Sequence, residues 1–554
     1  MSDTLASAQP VRKARRASWL PGGAFAVSAL CLVPMLAVGL AAFLGDMGSF
    51  GHLARTVLPG YLWTTVLLVL LVAAGTAAIG TGCAWLVTMT RFPGVRIFEI
   101  ALALPFAFPA YVLAYAYTDV FDHPGIVQTM LRDFTGWGPR DYWFPEIRST
   151  GGAALMLILV LYPYVYLLTR AAFLQQSFTA YHAARTLGRG PWGAFFGASV
   201  PLARPAIIGG VLLAVMETLA DFGTVSYFSV QTFATAIYRS WVGFADRGAS
   251  AQLALCLLTF ALLIAMLERM HRGSARHHNA GRKQELSEPA VLQGAGKWGA
   301  MVLCALPVLL GFVLPVIALT AMGLRSEQDL LSDRYLLFIQ NSLTLSSVAA
   351  LTTVAGAILI TVAYRLSPGR LTAAAGHIAR VGYAVPGGVI AVGLMVPFAA
   401  FDNALDAFME ARFGIDTGLL FTGSIWLLVA AYTVRFMAAA LNTFESGMAT
   451  LHPNLDAAAC SLGSSPTGLI RRIYIPALWP SVATAGLIVF VDVMKELPAT
   501  LIMRPFNMDT LAVQAHRLAS DERLDGAAVP SLVLVAVGLV PVILLCRTLG
   551  RRRG

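Results

Sequence analysis

A run of about 20 apolar residues is long enough to cross the hydrocarbon core of a bilayer as a helix. This chain carries twelve such runs. The first six centre on 20–44, 61–89, 97–118, 151–170, 203–222 and 249–268. The second six centre on 298–322, 337–364, 380–400, 418–440, 479–500 and 528–547. No water reaches the middle of a bilayer, so each segment must satisfy its own backbone hydrogen bonds, and helices do so within one segment. The expected fold class is therefore an all-α polytopic membrane protein. Only 12% of residues are charged, about half the share in a soluble domain. The net charge of +10 is spread over short loops, which argues for a lipid bilayer as partner and against nucleic acid.

Basic residues orient the spans. Arg91 and Arg96, Arg185 and Arg189, Arg269 to Lys283, Arg365 and Arg370, and Arg471 and Arg472 fall on one side. The N-terminal cluster (Arg12, Lys13, Arg15, Arg16) and the C-terminal Arg551 to Arg553 join them, so both termini are expected in the cytoplasm. The first apolar run is too long for a signal peptide and lacks a clean cleavage site, so it reads as a retained span. The polar stretch 271–297 reads as a flexible cytoplasmic linker. Four segments follow: a tail (1–19), a first membrane domain (20–270), the linker (271–297) and a second membrane domain (298–554). The six cysteines form no CxxC pair and read as buried free thiols.

The two membrane domains repeat one another. VPLARPAI (200–207) aligns with IPALWPSV (475–482), an offset of 275 that places Gly188 on Gly463, Pro201 on Pro476 and Pro205 on Pro480. Ala183 and Ala184 fall on Ala458 and Ala459, Glu217 on Asp492, and Asp221 on Glu496. Upstream, LPFAFPAYVLAYAY (104–117) corresponds to YAVPGGVIAVGL (383–394). Two parallel six-span halves imply a pseudo-two-fold axis along the membrane normal, with a pathway at their interface. Each half also carries one polar loop built alike: a helix-forming stretch, a Gly that suits a helix stop, a second short helix, then a Pro. Such a loop either docks a partner or lies on the headgroups, and its recurrence at fixed spacing favours the partner.

These loops resemble the E-A-A-x-x-x-G, nine residues, I-x-L-P pattern of integral membrane subunits of binding-protein-dependent ABC importers. In the first copy the positions are His182, Ala183, Ala184, Gly188, Ala198, Val200 and Pro201. In the second they are Ala457, Ala458, Ala459, Gly463, Ile473, Ile475 and Pro476. The leading Glu is replaced by His182 and Ala457, with Asp456 one residue earlier. The resemblance implies the type I importer permease fold, with five core helices per half around the pathway and the first span of each half peripheral. It also implies that both loops couple to a dimer of cytoplasmic ATPase subunits, which carry the ATP and Mg. A periplasmic substrate-binding protein would deliver the cargo. GAGKW (294–298) lacks the upstream Gly and the Ser/Thr of a Walker A loop, so no catalytic residue and no cofactor is expected in this chain.

Three stretches, 90–121, 216–228 and 491–503, resemble fused ferric iron permeases, with thiamine and polyamine permeases as the nearest alternatives. Glu217 and Asp221, like Asp492 and Glu496, are spaced i, i+4 and share a helix face. Acids in or beside a membrane are expensive and mark ion paths, and ferric ion prefers oxygen ligands. The same acids also suit helix capping, local pairing of Asp492 with Lys495, or another cationic cargo. Tyr111, Tyr115 and Tyr117 would either add phenolic oxygens or belong to an interfacial aromatic belt. An ion-gradient-driven secondary transporter would leave the duplicated loop without a purpose. No HExxH or GxSxG motif points to a membrane enzyme.

Overall fold

The computed structural model describes residues 19–45, 47–175, 184–272, 290–328, 332–452, 454–462 and 464–550. Among them ten helices are long and apolar enough to cross a membrane, and two bent helix pairs bring the number to twelve. In chain order the spans are span 1 (Trp19–Leu44), span 2 (Leu58–Met89), span 3 (Val95–Ala107 with Ala110–Thr135), span 4 (Thr150–Leu174), span 5 (Phe195–Ala220) and span 6 (Arg247–Leu267). The second set is span 7 (Ala295–Arg325), span 8 (Asp333–Leu366), span 9 (Gly387–Phe413), span 10 (Ile425–Met448), span 11 (Thr467–Ala477 with Trp479–Met494) and span 12 (Leu524–Leu544). The expected all-α class holds, with one small addition. Thr90–Arg91 (β1) pairs in parallel with Ala290–Val291 (β2), so the end of the expected linker is ordered against the loop after span 2.

The two bent spans depart from the straight helices that hydropathy alone suggests. Span 3 turns by 94° at Phe108–Pro109. Pro105 and Pro109 each lack a donor, and each disfavours a helical conformation in the residue before it. The helix accordingly tightens to 3-10 geometry at Leu104–Ala107 and restarts at Ala110. Span 11 turns by 80° at Leu478, and its long leg stops at Met494 rather than near 500, four residues before Pro498. Span 9 begins at Gly387 directly after Pro386, where the sequence suggested 380, and a separate helix (Arg370–Val381) precedes it.

The repeat is visible in backbone detail. Phe195–Ser199 and Ile470–Tyr474 are both π-helical turns, 275 residues apart. Each immediately precedes the segment that carries the repeated Pro201 or Pro476. A proline without an N–H interrupts the regular ladder one turn upstream, and a wider turn absorbs the mismatch.

The chain forms two compact units, and each draws on both sequence halves. One comprises Met1–Val33, Ser346–Tyr383 and Tyr432–Val493; the other comprises Pro34–Leu345, Ala384–Ala431 and Met494–Gly554. The first span of each half packs on residues of the opposite half. In the first unit, the Ser28 hydroxyl of span 1 donates to the Ala375 carbonyl at 2.9 Å. In the second, span 7 accepts a hydrogen bond from Tyr117 at the Leu310 carbonyl (2.8 Å) and packs Phe312 edge-on against Phe108.

Candidate functional site

The repeated loops are built alike where they are described. In the first copy the Arg189 N–H donates to the Ala184 carbonyl at 3.1 Å; in the second the Ser464 N–H donates to the Ala459 carbonyl at 3.0 Å. Both bonds span five residues at positions 275 apart, and they are the closing bonds of Schellman-type helix ends. Gly188 has φ +85°, a left-handed conformation that a side chain makes costly. His182, Ala183 and Gly463 lie outside the described residues.

The two loops rest on separate apolar clusters. Ala184 packs against a cluster containing Trp85, Tyr166, Phe173 and Phe195. Ala459 is buried among Phe444, Met448, Leu469 and Tyr474. The third residue of the motif therefore seats the loop on its own bundle. Ala458, Pro201 and Pro476 are exposed, and Ala457 lies within the Asn454–Ser461 helix.

Asp456 is committed inside the chain. Arg365 Nε donates to one of its carboxylate oxygens at 2.6 Å and the Tyr474 hydroxyl to the other at 2.7 Å. The same guanidinium donates to the Met448 and Leu451 carbonyls. The carboxylate nearest the missing Glu thus anchors its loop to span 8.

Leu187 and Leu462, also 275 residues apart, are 83% and 86% exposed. Each sits at the tip of its loop just before the repeated Gly. They were legible as the shared LG of HAARTLG and AAACSLG, although motif matching passes over them.

The acids lie at the opposite ends of spans 5 and 11. Asp221 follows span 5 and caps the short helix Gly223–Tyr227. It accepts from the N–H groups of Thr224 (3.1 Å) and Val225 (3.2 Å) and from the Thr224 hydroxyl (3.0 Å). Glu496 does the same for Pro498–Met503, accepting from the N–H groups of Ala499 (3.1 Å) and Thr500 (3.2 Å) and from the Thr500 hydroxyl (2.9 Å). The capping alternative is therefore real for both.

Capping does not isolate them. Tyr111 is within electrostatic reach of both carboxylates, and its phenol oxygen lies 3.4 Å from the Lys495 carbonyl. Gly223 packs so closely under this ring that a Cβ there would come within 2.8 Å of it. The repeated acid positions of spans 5 and 11 thus meet at one tyrosine. Glu217 is half-buried on span 5. Asp492 is half-buried near the end of span 11 and belongs to the other compact unit.

The tyrosines do not form a lipid-facing belt. Tyr111, Tyr115 and Tyr117 are all buried, because their helix is buried on every side from Tyr111 to Thr118 and is packed by spans 4, 7 and 12. Tyr115 is hydrogen-bonded to His516 Nδ1 at 3.0 Å and lies edge-on to Tyr227. His516 carries no motif and was not singled out by the sequence. The Lys495 ammonium sits 4.8 Å from the centroid of the Phe106 ring, an attractive cation–π arrangement.

Residues 339–553 match the model of the binding-protein-dependent transport system inner membrane component family. A Fe(3+)-transport system permease protein of Haemophilus influenzae is 27% identical over 525 residues, covering 93% of this chain and 95% of that protein. A molybdenum transport system permease protein of Escherichia coli is 29% identical over 231 residues, covering 40% of this chain and 97% of its own length. A ferric transport system permease protein of Actinobacillus pleuropneumoniae is 23% identical over 449 residues, covering 77% and 61%. Residues 339–553 thus carry the domain of the inner membrane components of binding-protein-dependent transport systems, and the twelve spans, the duplicated Gly–Pro loops and the similarity over 93% of the chain give the whole the build of a multi-pass ABC importer permease.

Proposed function

We propose that this permease carries ferric iron into the cytoplasm. The observation that carries the reading is that Asp221 and Glu496, equivalent residues of the two repeats, both lie within electrostatic reach of the buried Tyr111. Carboxylate and phenol oxygens suit a hard trivalent cation. The same pair of acids would repel an oxyanion such as molybdate, so the acids favour the iron relatives over the molybdenum one. A periplasmic binding protein delivers the ion to the face bearing 119–150 and 495–523, and that face is extracytoplasmic, with both termini inside. ATP and Mg are bound by a separate pair of ATPase subunits, which hydrolyse the ATP and receive Leu187 and Leu462; this chain hydrolyses nothing.

The test is uptake of labelled ferric iron by iron-starved cells with and without the gene, with thiamine, a polyamine and molybdate measured in parallel. Loss of iron uptake alone is expected. Loss of another cargo alone would move the substrate while leaving the permease architecture intact.

A further inference from the structure

The second leg of span 3 is itself two helices, Ala110–Phe121 and Ile126–Thr135, and the latter is folded with its polarity reversed. Its polar side is turned inward. Gln128 is 8% exposed and donates through Nε2 to the Phe121 carbonyl at 3.0 Å. The Tyr142 hydroxyl donates to Gln128 Oε1 at 2.8 Å. Arg132 donates to the Tyr142 hydroxyl, the His123 carbonyl and the Thr129 hydroxyl, at 2.9, 3.0 and 3.0 Å. Its apolar side is turned outward, with the exposed Asp133 along one edge. Ile126, Met130 and Phe134, at i, i+4 and i+8, are 42%, 65% and 91% exposed and form one stripe. The turn that follows adds Trp137 and Trp143, and Trp143 is 85% exposed.

A polar network on the inner side of a helix, under an exposed apolar stripe, suits a helix whose outside is an apolar phase. The helix sits between Ala110–Phe121 and span 4, so the bilayer is the adjoining apolar phase. The break at Pro109 leaves the helix Ala110–Phe121 with 12 residues, about 18 Å long and short of the ~30 Å hydrocarbon layer. The chain therefore turns into Ile126–Thr135 while still close to the bilayer. Tryptophan is the residue type that settles at the headgroup level.

We propose that Ile126–Thr135 and the turn through Trp143 lie in the interfacial layer of the bilayer, on the face opposite the repeated loops. The stripe Ile126–Met130–Phe134 contacts acyl chains there. The Gln128–Tyr142–Arg132 network, with Gln128 buried and the other two half-buried, fixes the roll of the helix. The segment then acts as a float that holds the outer end of span 3, and with it Tyr111 and Tyr115, at a set depth.

The test uses the full chain in nanodiscs of phosphatidylethanolamine and phosphatidylglycerol. Met130→Cys, Phe134→Cys and, in the polar part of the turn, Arg140→Cys each carry a nitroxide, with the unsubstituted chain as the labelling blank. Sites 130 and 134 should relax more with dissolved oxygen than with a water-soluble nickel chelate, and site 140 should show the reverse. Quenching of tryptophan emission by brominated lipid should also fall when Trp143 is replaced by Phe. Greater nickel than oxygen access at 130 and 134 would overturn the proposal. So would nickel access that is lost only on addition of a periplasmic binding protein, which would make the stripe a protein-docking face.

Discussion

Asp221 and Glu496 show one side chain serving two needs. Each caps a helix, and each carboxyl lies within electrostatic reach of Tyr111. Asn and Gln retain an acceptor for the capping N–H groups and remove the charge. A carboxylate near a cation in a partly solvated site is worth on the order of 1–4 kcal/mol. D221N/E496Q should therefore assemble normally and transport at least about tenfold more slowly. Iron uptake by the double variant at the wild-type rate would show that these acids only cap.

Leu187 and Leu462 make a second residue-scale case. An exposed leucine at the tip of a tightly closed helix end costs little in the free chain and gains roughly 1.5–3 kcal/mol on full burial. L187A/L462A should weaken binding of the ATPase subunits by at least about tenfold per leucine, with no loss of chain stability. Co-purification of the complex against detergent-solubilised thermal stability separates the two effects.

At the scale of elements, the repeat conserves a contact and exchanges its charges. Arg170 of span 4 pairs with Glu99 at the start of span 3. At the position 275 residues on, Glu445 of span 10 pairs with Arg380, on the helix before span 9. Either polarity is compatible with this helix pair, because the geometry needs opposite charges and not a given order. Arg170 is almost fully buried, and leaving a buried charge alone costs about 3–5 kcal/mol. Arg170→Glu should sharply lower the yield of folded protein, and adding Glu99→Arg should restore much of it, as measured by size-exclusion yield.

A second tie joins elements far apart in sequence. Arg148, in the loop before span 4, grips Glu522 with two hydrogen bonds of 2.7 and 2.8 Å and also pairs with Asp122. The Arg148 bond holds the Glu522 carboxyl below its ordinary value of 4.5. A depressed carboxyl stabilises the fold above its unfolded pKa and loses that contribution as pH falls through the lowered value. The loop 119–150 should therefore loosen below about pH 4 by less than ~1 kcal/mol, since the pair is solvent-accessible. Hydrogen exchange of this loop checks it: the acid step should be absent in Glu522→Gln.

At the scale of the molecule, neither half is self-sufficient. Span 1 is seated on the second half through Ser28 and Ala375, and span 7 on the first half through Leu310 and Phe312. Each compact unit mixes segments from both halves. A chain cut within 273–289 should yield two fragments that are each degraded when made alone, yet co-purify when made together. A first fragment that is monomeric and folded on its own would contradict the exchange.

The sequence alone determined the number of spans, the duplication and the place of the two loops. These depend on length, hydropathy and spacing, which are local properties of the chain. Even the break in span 3 and the early end of span 11 were written there as Pro109 and Pro498, although hydropathy averages over them. It also placed Asp221 and Glu496 at equivalent points, but left open whether they cap or line a path. Only the tertiary structure decided that both cap and that both reach Tyr111. It also turned the three tyrosines inward, bound Asp456 to Arg365 and Tyr474, brought His516 to Tyr115 and seated each first span on the opposite half. Those outcomes join residues tens to hundreds of positions apart. No periodicity carries them, because they are set by which faces remain to be buried once the helices have formed.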